Sequence, residues 1–161
     1  MDLSWNHTVP PHRSDSDHNY TGAVGAWCTI GLCLGFGLGL GVIFSGLLGV
    51  NAVGVGVAAV VGAAAGAGAG FLVGDVAETV AGGVGGFLGA LSAAAVVHGA
   101  LRRGATRLGA AAYLGMAGLL VCLVALIPVA GYLESVALPL LAARMRGRQA
   151  ARFAGLRTLA K

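Results

Sequence analysis

From Gly22 to Gly74 the chain runs for 53 consecutive residues without Asp, Glu, Lys, Arg or His. As a single helix this run would measure roughly 80 Å at about 1.5 Å per residue, against a bilayer hydrocarbon core of about 30 Å. The run must therefore cross, turn and cross again. The polar side chain near its middle is Asn51, flanked by Gly49 and Gly54. Asn beside Gly is turn chemistry, because both tolerate left-handed backbone angles, so a tight loop is expected at about residues 49 to 53.

Composition excludes the alternative of a water-soluble globule. Hydrophobic residues make up 57% of the 161 and glycine another 29 positions, while 10% are charged; soluble domains carry about 25% charge. The glycines show neither the every-third-residue period of collagen nor the Ser, Gln and Pro that keep low-complexity chains hydrated. The expected class is an all-α, multi-pass transmembrane helical bundle with the lipid bilayer as its solvent.

The charge map divides the chain. Residues 1–21 read as a flexible polar tail, residues 22–143 as the transmembrane helical domain and residues 144–161 as a basic amphipathic tail. The first tail holds His7, His12, His18, Asp15 and Asp17 at a spacing that fits no compact metal site, and two glycosylation tripeptides at Asn6 and Asn19 that chance supplies easily. No cleavable targeting peptide is expected, since polar residues precede a run too long for a signal's apolar region. Cys28, Cys33 and Cys122 lie in apolar segments without a C-x-x-C pair, and read as small hydrophobes.

Within the domain, span one covers about Gly22 to Leu48, with Tyr20 and Trp27 near its interfacial start. Span two covers about Ala52 to Gly74. An acidic turn with Asp75 and Glu78 leads to span three, about Thr79 to Leu101, and Arg102, Arg103 and Arg107 then mark a basic loop. Leu108 to Ala143 holds 36 residues with the single charge Glu134, about 54 Å as a helix: long for one crossing and short for two. Pro128 divides it, giving four or five spans with the last as a re-entrant hairpin or a short crossing. With a return path, nine of the ten basic residues share one face. Basic residues accumulate on the cytoplasmic side, so the expected location is a plasma or inner membrane with the C-terminal tail cytoplasmic. In that tail Arg144, Arg148 and Arg152 form one row and Met145, Phe153, Leu156 and Leu159 lie mainly on another face. This is the pattern of a helix resting on anionic lipid head groups, or of a solvated cluster that only sets orientation.

The glycines carry the packing argument. In water each helical Gly costs about 1 kcal/mol relative to Ala, but in lipid small residues let two backbones approach closely. At spacing four, span two presents Gly54, Ala58, Gly62, Gly66, Gly70 and Gly74, and span three Gly82, Gly86, Ala90 and Ala94, with Gly85, Gly89 and Ala93 beside them. Two such rows joined by a short turn should form a close antiparallel pair. In span one, Gly35 and Gly39 fall nearly opposite Gly37 and Gly41 at about 100° per residue. Two smooth flanks in so small a bundle suggest contact with another copy, so a homo-oligomer is expected.

The string Gly35-Phe36-Gly37-Leu38-Gly39-Leu40-Gly41 resembles the first helix of rotary ATP synthase proteolipid subunits, over about seven residues. Those subunits carry an ion-binding carboxylate in the next apolar helix. Residues 52–74 here contain none, and no function is carried over.

Candidate chemistry is sparse. Glu134 at membrane depth would cost about 2.5 to 3.5 kcal/mol unless paired or protonated, which makes it a functional candidate; if the chain turns near Pro128, it is instead hydrated just inside the outer interface. Asp75 and Glu78 either cap span three or join an ion path, and His98 either meets the interface or relays protons. Together Glu134, Asp75, Glu78 and His98 form the candidate ion path. Intramembrane aspartyl or serine protease motifs and a phosphate-binding loop are missing from the sequence, so it is not expected to be an enzyme. It reads as needing no cofactor, no metal and no nucleic acid. The expected role is structural or accessory, with a small ion or proton channel or transporter as the rival.

Overall fold

The computed structural model describes the backbone of residues 15–157 and the side chains of residues 25–147 apart from Pro128. Five helices follow one another: α1 (Asp15–Leu48), α2 (Ala52–Val73), α3 (Val76–Arg102), α4 (Arg107–Val124) and α5 (Pro128–Arg157). No strand occurs among the described residues. Four helices are long and apolar enough to cross a membrane: α1 from Gly25, then α2, α3 and α4. Val53, Phe71 and Leu72 of α2 and Leu119 and Leu123 of α4 face outward, a surface suited to acyl chains rather than water. The chain is an all-α bundle, as its apolar runs require.

Each reversal has a local cause. Asn51 stands in extended backbone before α2, and its Oδ1 accepts the Gly54 N–H at 2.7 Å. Thr106 does the same for α4, accepting from Gly109 at 3.2 Å. Between them, the chain leaves α3 through Gly104, two residues past its end, whose φ of 84° is the left-handed value glycine adopts at no steric cost. There the Ala105 N–H reaches the Ala100 carbonyl at 3.2 Å and the Gly104 N–H reaches Leu101 at 3.1 Å, the paired bonds that close a helix end. Residues 125–127 turn the chain into α5, which opens on Pro128, where a missing N–H costs nothing.

Two helices extend beyond the limits that polarity suggested. Residues 15–21, placed in the polar tail, already belong to α1. Once a helix is nucleated, adding residues is cheap, so an anchored span propagates into polar sequence. At the other end α5 continues past Pro139 and Arg144 to Arg157, so the basic stretch prolongs the last helix. The side chains of Arg148, Arg152, Phe153, Leu156 and Leu159 lie outside the described residues, as do those of the N-terminal His, Asp and Asn residues considered above. The stretch 108–143 doubles back, and Arg102 and Arg146 line one pocket, which puts the basic loop and the basic end of α5 at the same end of the bundle.

Helix α1 is the centre of the bundle, in contact with all four others. On one flank three helices meet glycine to glycine at two successive levels. A Cβ at Gly66 would overlap the Gly82 carbonyl oxygen and stand 3.2 Å from the Gly37 Cα. One turn away, a Cβ at Gly62 would stand 3.0 Å from the Gly41 Cα and 3.1 Å from the Gly86 oxygen. A second row on α3, Gly85 and Gly89, lies against the Leu34 and Leu38 carbonyls of α1. At these distances dispersion and weak Cα–H to carbonyl contacts act between main chains directly.

The opposite flank of α1 is filled as well. A Cβ at Gly35 would stand 2.6 Å from Ala125 Cβ and 2.9 Å from the Gly131 Cα. At Gly39 it would overlap Cys122 Sγ and approach the Gly118 oxygen to 2.7 Å. Both smooth flanks of α1 are therefore occupied by its own chain: α2 and α3 on one side, α4 and α5 on the other. The inference that they require another copy does not hold for this helix, because period-two glycines can as well serve two neighbours within one chain.

Candidate functional site

Of the singled-out glycines, Gly62, Gly66, Gly70, Gly82 and Gly86 form one continuous seam. Gly62, Gly66 and Gly70 of α2 lie against the backbones of Gly86, Gly82 and Glu78 of α3, each pair antiparallel and one turn apart. Gly74 stands apart from this row. It ends α2, its N–H bonded to Gly70 at 3.0 Å, and its neighbour is the Glu78 side chain rather than an opposing backbone. Sequence spacing carried these positions but not Gly118 and Gly131, whose partners on α1 are far away along the chain.

Glu78 is buried at the start of α3. Thr29 of α1 donates its hydroxyl to Glu78 Oε1 at 2.7 Å, and the Asp75 N–H donates to Oε2 at 3.1 Å. One carboxylate thus closes the α2–α3 turn and pins it to α1. Asp75 is exposed at the helix start, where Thr79 Oγ1 donates to its carbonyl at 3.0 Å. Thr29 was not legible as a partner, since a lone Thr in an apolar helix usually satisfies itself on its own backbone; here the Ala26 carbonyl, 2.9 Å away, competes with Glu78 for the one hydroxyl proton.

Glu134 sits elsewhere. Its Oε2 is buried without a hydrogen-bond partner, and a Cβ at Gly35 would stand 3.3 Å from it. The turn before α5 docks beside Gly35 through Ala125, and Gly131 of α5 lies against Gly31, which brings Glu134 onto α1. Tyr132 marks the way back out, donating its hydroxyl to the Trp27 carbonyl at 2.8 Å.

The four residues of the candidate ion path do not converge. Asp75 and Glu78 border one end of α3 and exposed His98 lies near the other, in a pocket with Arg102 and Arg146. Glu134 meets α1 six residues beyond Thr29, about 9 Å further along and about 120° around the helix from the Glu78 contact. Among the described residues no group of three or more His, Cys, Asp or Glu is placed to hold a metal. No protein-family model matches the chain, and no curated protein or solved structure is significantly similar to it.

Proposed function

We propose that the chain is a multi-pass membrane protein with a structural or accessory role, self-associating through the outer face of α2, with its basic end cytoplasmic in a plasma or inner membrane. The observation that carries this reading is what the internal packing leaves over. Gly56 and Gly68 of α2 have nothing within 4 Å, and with exposed Val60 and Ala64 they form an outward row at spacing four. Rows of this type pair helices in lipid, and here a second copy offers the matching row. In liposomes, cross-linking or energy transfer between labelled copies should report dimers. Gly56→Ile with Gly68→Ile should weaken the association at least tenfold without unfolding the bundle, because neither side chain meets the rest of the chain. A wild type that stays monomeric at every protein-to-lipid ratio would end this reading.

A second reading rests on Glu134 alone. A buried, unpartnered carboxyl oxygen in an apolar helical bundle is where intramembrane proton and ion chemistry is found. If the protein is a small channel or transporter, it should carry a proton or ion flux in sealed liposomes that Glu134→Gln abolishes. Flux that is missing in the wild type, or unchanged in the variant, removes this alternative.

A further inference from the structure

Helices α4 and α5 both pack on α1 but barely touch each other. Between them a cavity of about 340 Å³ opens toward the lipid, floored by Val42 of α1 and Ala93 of α3 and walled by Tyr113 and Val121 of α4 and Leu138 and Met145 of α5. Its lining is almost wholly apolar, and its size falls within the range of sites that hold small amphiphiles. It stops at Val96 and Met145. At the adjoining residues of the same two helices, Ala95 and Arg146, a second pocket of about 200 Å³ begins, and His98 and Arg102 complete its charged lining. Arg146 contributes one long hydrogen bond to the chain, from Nη2 to the Leu91 carbonyl at 3.5 Å, leaving most of its donors unused among the described residues. No carboxylate shares this pocket; Asp75, Glu78 and Glu134 lie toward the other end of the bundle.

An oily slot that ends beside guanidinium groups with no carboxylate partner among the described residues has the chemistry of one molecule type. We infer that this site holds an anionic phospholipid, one acyl chain lying between α4 and α5 and the phosphate meeting Arg102, Arg146 and His98. Arginine binds phosphate by paired N–H donors, and basic groups near the membrane surface are drawn to anionic lipid. The slot makes the site more than a general attraction for charged surfaces: it requires the tail as well as the head. The assignment rests on the membrane reading but not on self-association, and applies equally to a monomer.

The test is lipid retention by the purified full-length chain in detergent, followed by native mass spectrometry with phosphatidylglycerol and phosphatidylcholine in equal amounts. One phosphatidylglycerol per chain should be retained at least tenfold more than phosphatidylcholine. Arg102→Gln with Arg146→Gln should erase the preference, and both arginines are exposed, so the bundle stays folded. Ala117→Phe, which fills the slot without touching the head site, should lower retention at least tenfold by itself. Inorganic phosphate at the same concentration should not displace the lipid. Equal retention of both lipids, indifference to either variant, or displacement by free phosphate would each overturn the assignment. Because no readout here depends on dimer formation, its failure is distinct from failure of the α2 pairing.

Discussion

Gly66→Ile should destabilise the bundle by about 3 kcal/mol or more, the upper end of what overpacking costs, while Leu119→Ile on α4 should change stability by no more than about 0.5 kcal/mol. The difference follows from what each side chain meets. Leu119 is 58% exposed and faces outward. At Gly66 the Cβ alone would overlap the Gly82 carbonyl oxygen and stand 2.8 Å from its carbon, with the Gly37 Cα at 3.2 Å. No rotamer relieves a clash that begins at Cβ, so α2 must withdraw from α3 and α1 together. Gly66→Ala should already show much of the loss, and Gly70→Ile should behave similarly because its neighbour is the Glu78 backbone. Reversible unfolding in mixed micelles, read by circular dichroism, measures all four variants. Equal effects at Gly66 and Leu119 would count against main-chain contact as the source of cohesion.

The second large effect concerns the other flank of α1. Gly39→Ile should release α4 and leave α1, α2 and α3 together. The added Cβ would overlap Cys122 Sγ and stand 3.0 Å from the Cys122 nitrogen. Helix α4 has little else to hold it, since it touches α3 and α5 only marginally. Cys122 reports the change directly. In detergent, in a Cys28→Ser background, its alkylation should accelerate about tenfold or more, as expected when local opening costs about 1.4 kcal/mol less. Cys33, buried in α1 at 3% exposure, should keep its slow rate. Loss of protection at both thiols would mean that the two flanks fold as one unit; unchanged protection at Cys122 would mean that α4 does not depend on Gly39.

These two substitutions also separate what could be read along the chain from what could not. The seam between α2 and α3 was legible because both halves are periodic and lie next to each other in sequence: Gly62, Gly66 and Gly70 face back across a short turn to Gly86, Gly82 and Glu78. The insertion of Gly37 and Gly41 into that seam was not legible. A two-flanked glycine helix has no local signal saying which flank meets which neighbour, and the same pattern would serve a second copy. Glu134 illustrates the point for the candidate site. Its charge and its distance from Pro128 are in the sequence, but its depth depends on where the α4–α5 turn docks on α1.

The uncharged runs and their Asn51, Asp75 and Arg102 punctuation by themselves determined that the chain is helical and suited to lipid, because a backbone in hydrocarbon must satisfy its own hydrogen bonds within each segment. Tertiary structure alone decided that α1 is central, that Thr29 holds Glu78, that Glu134 lies against Gly35, and that Arg102 and Arg146 line one pocket. The physical reason is one of range. Hydrogen bonding and polarity act between residues a few positions apart, whereas the choice of neighbour depends on atom contacts of about 0.1 to 0.2 kcal/mol each, summed over surfaces distant in sequence.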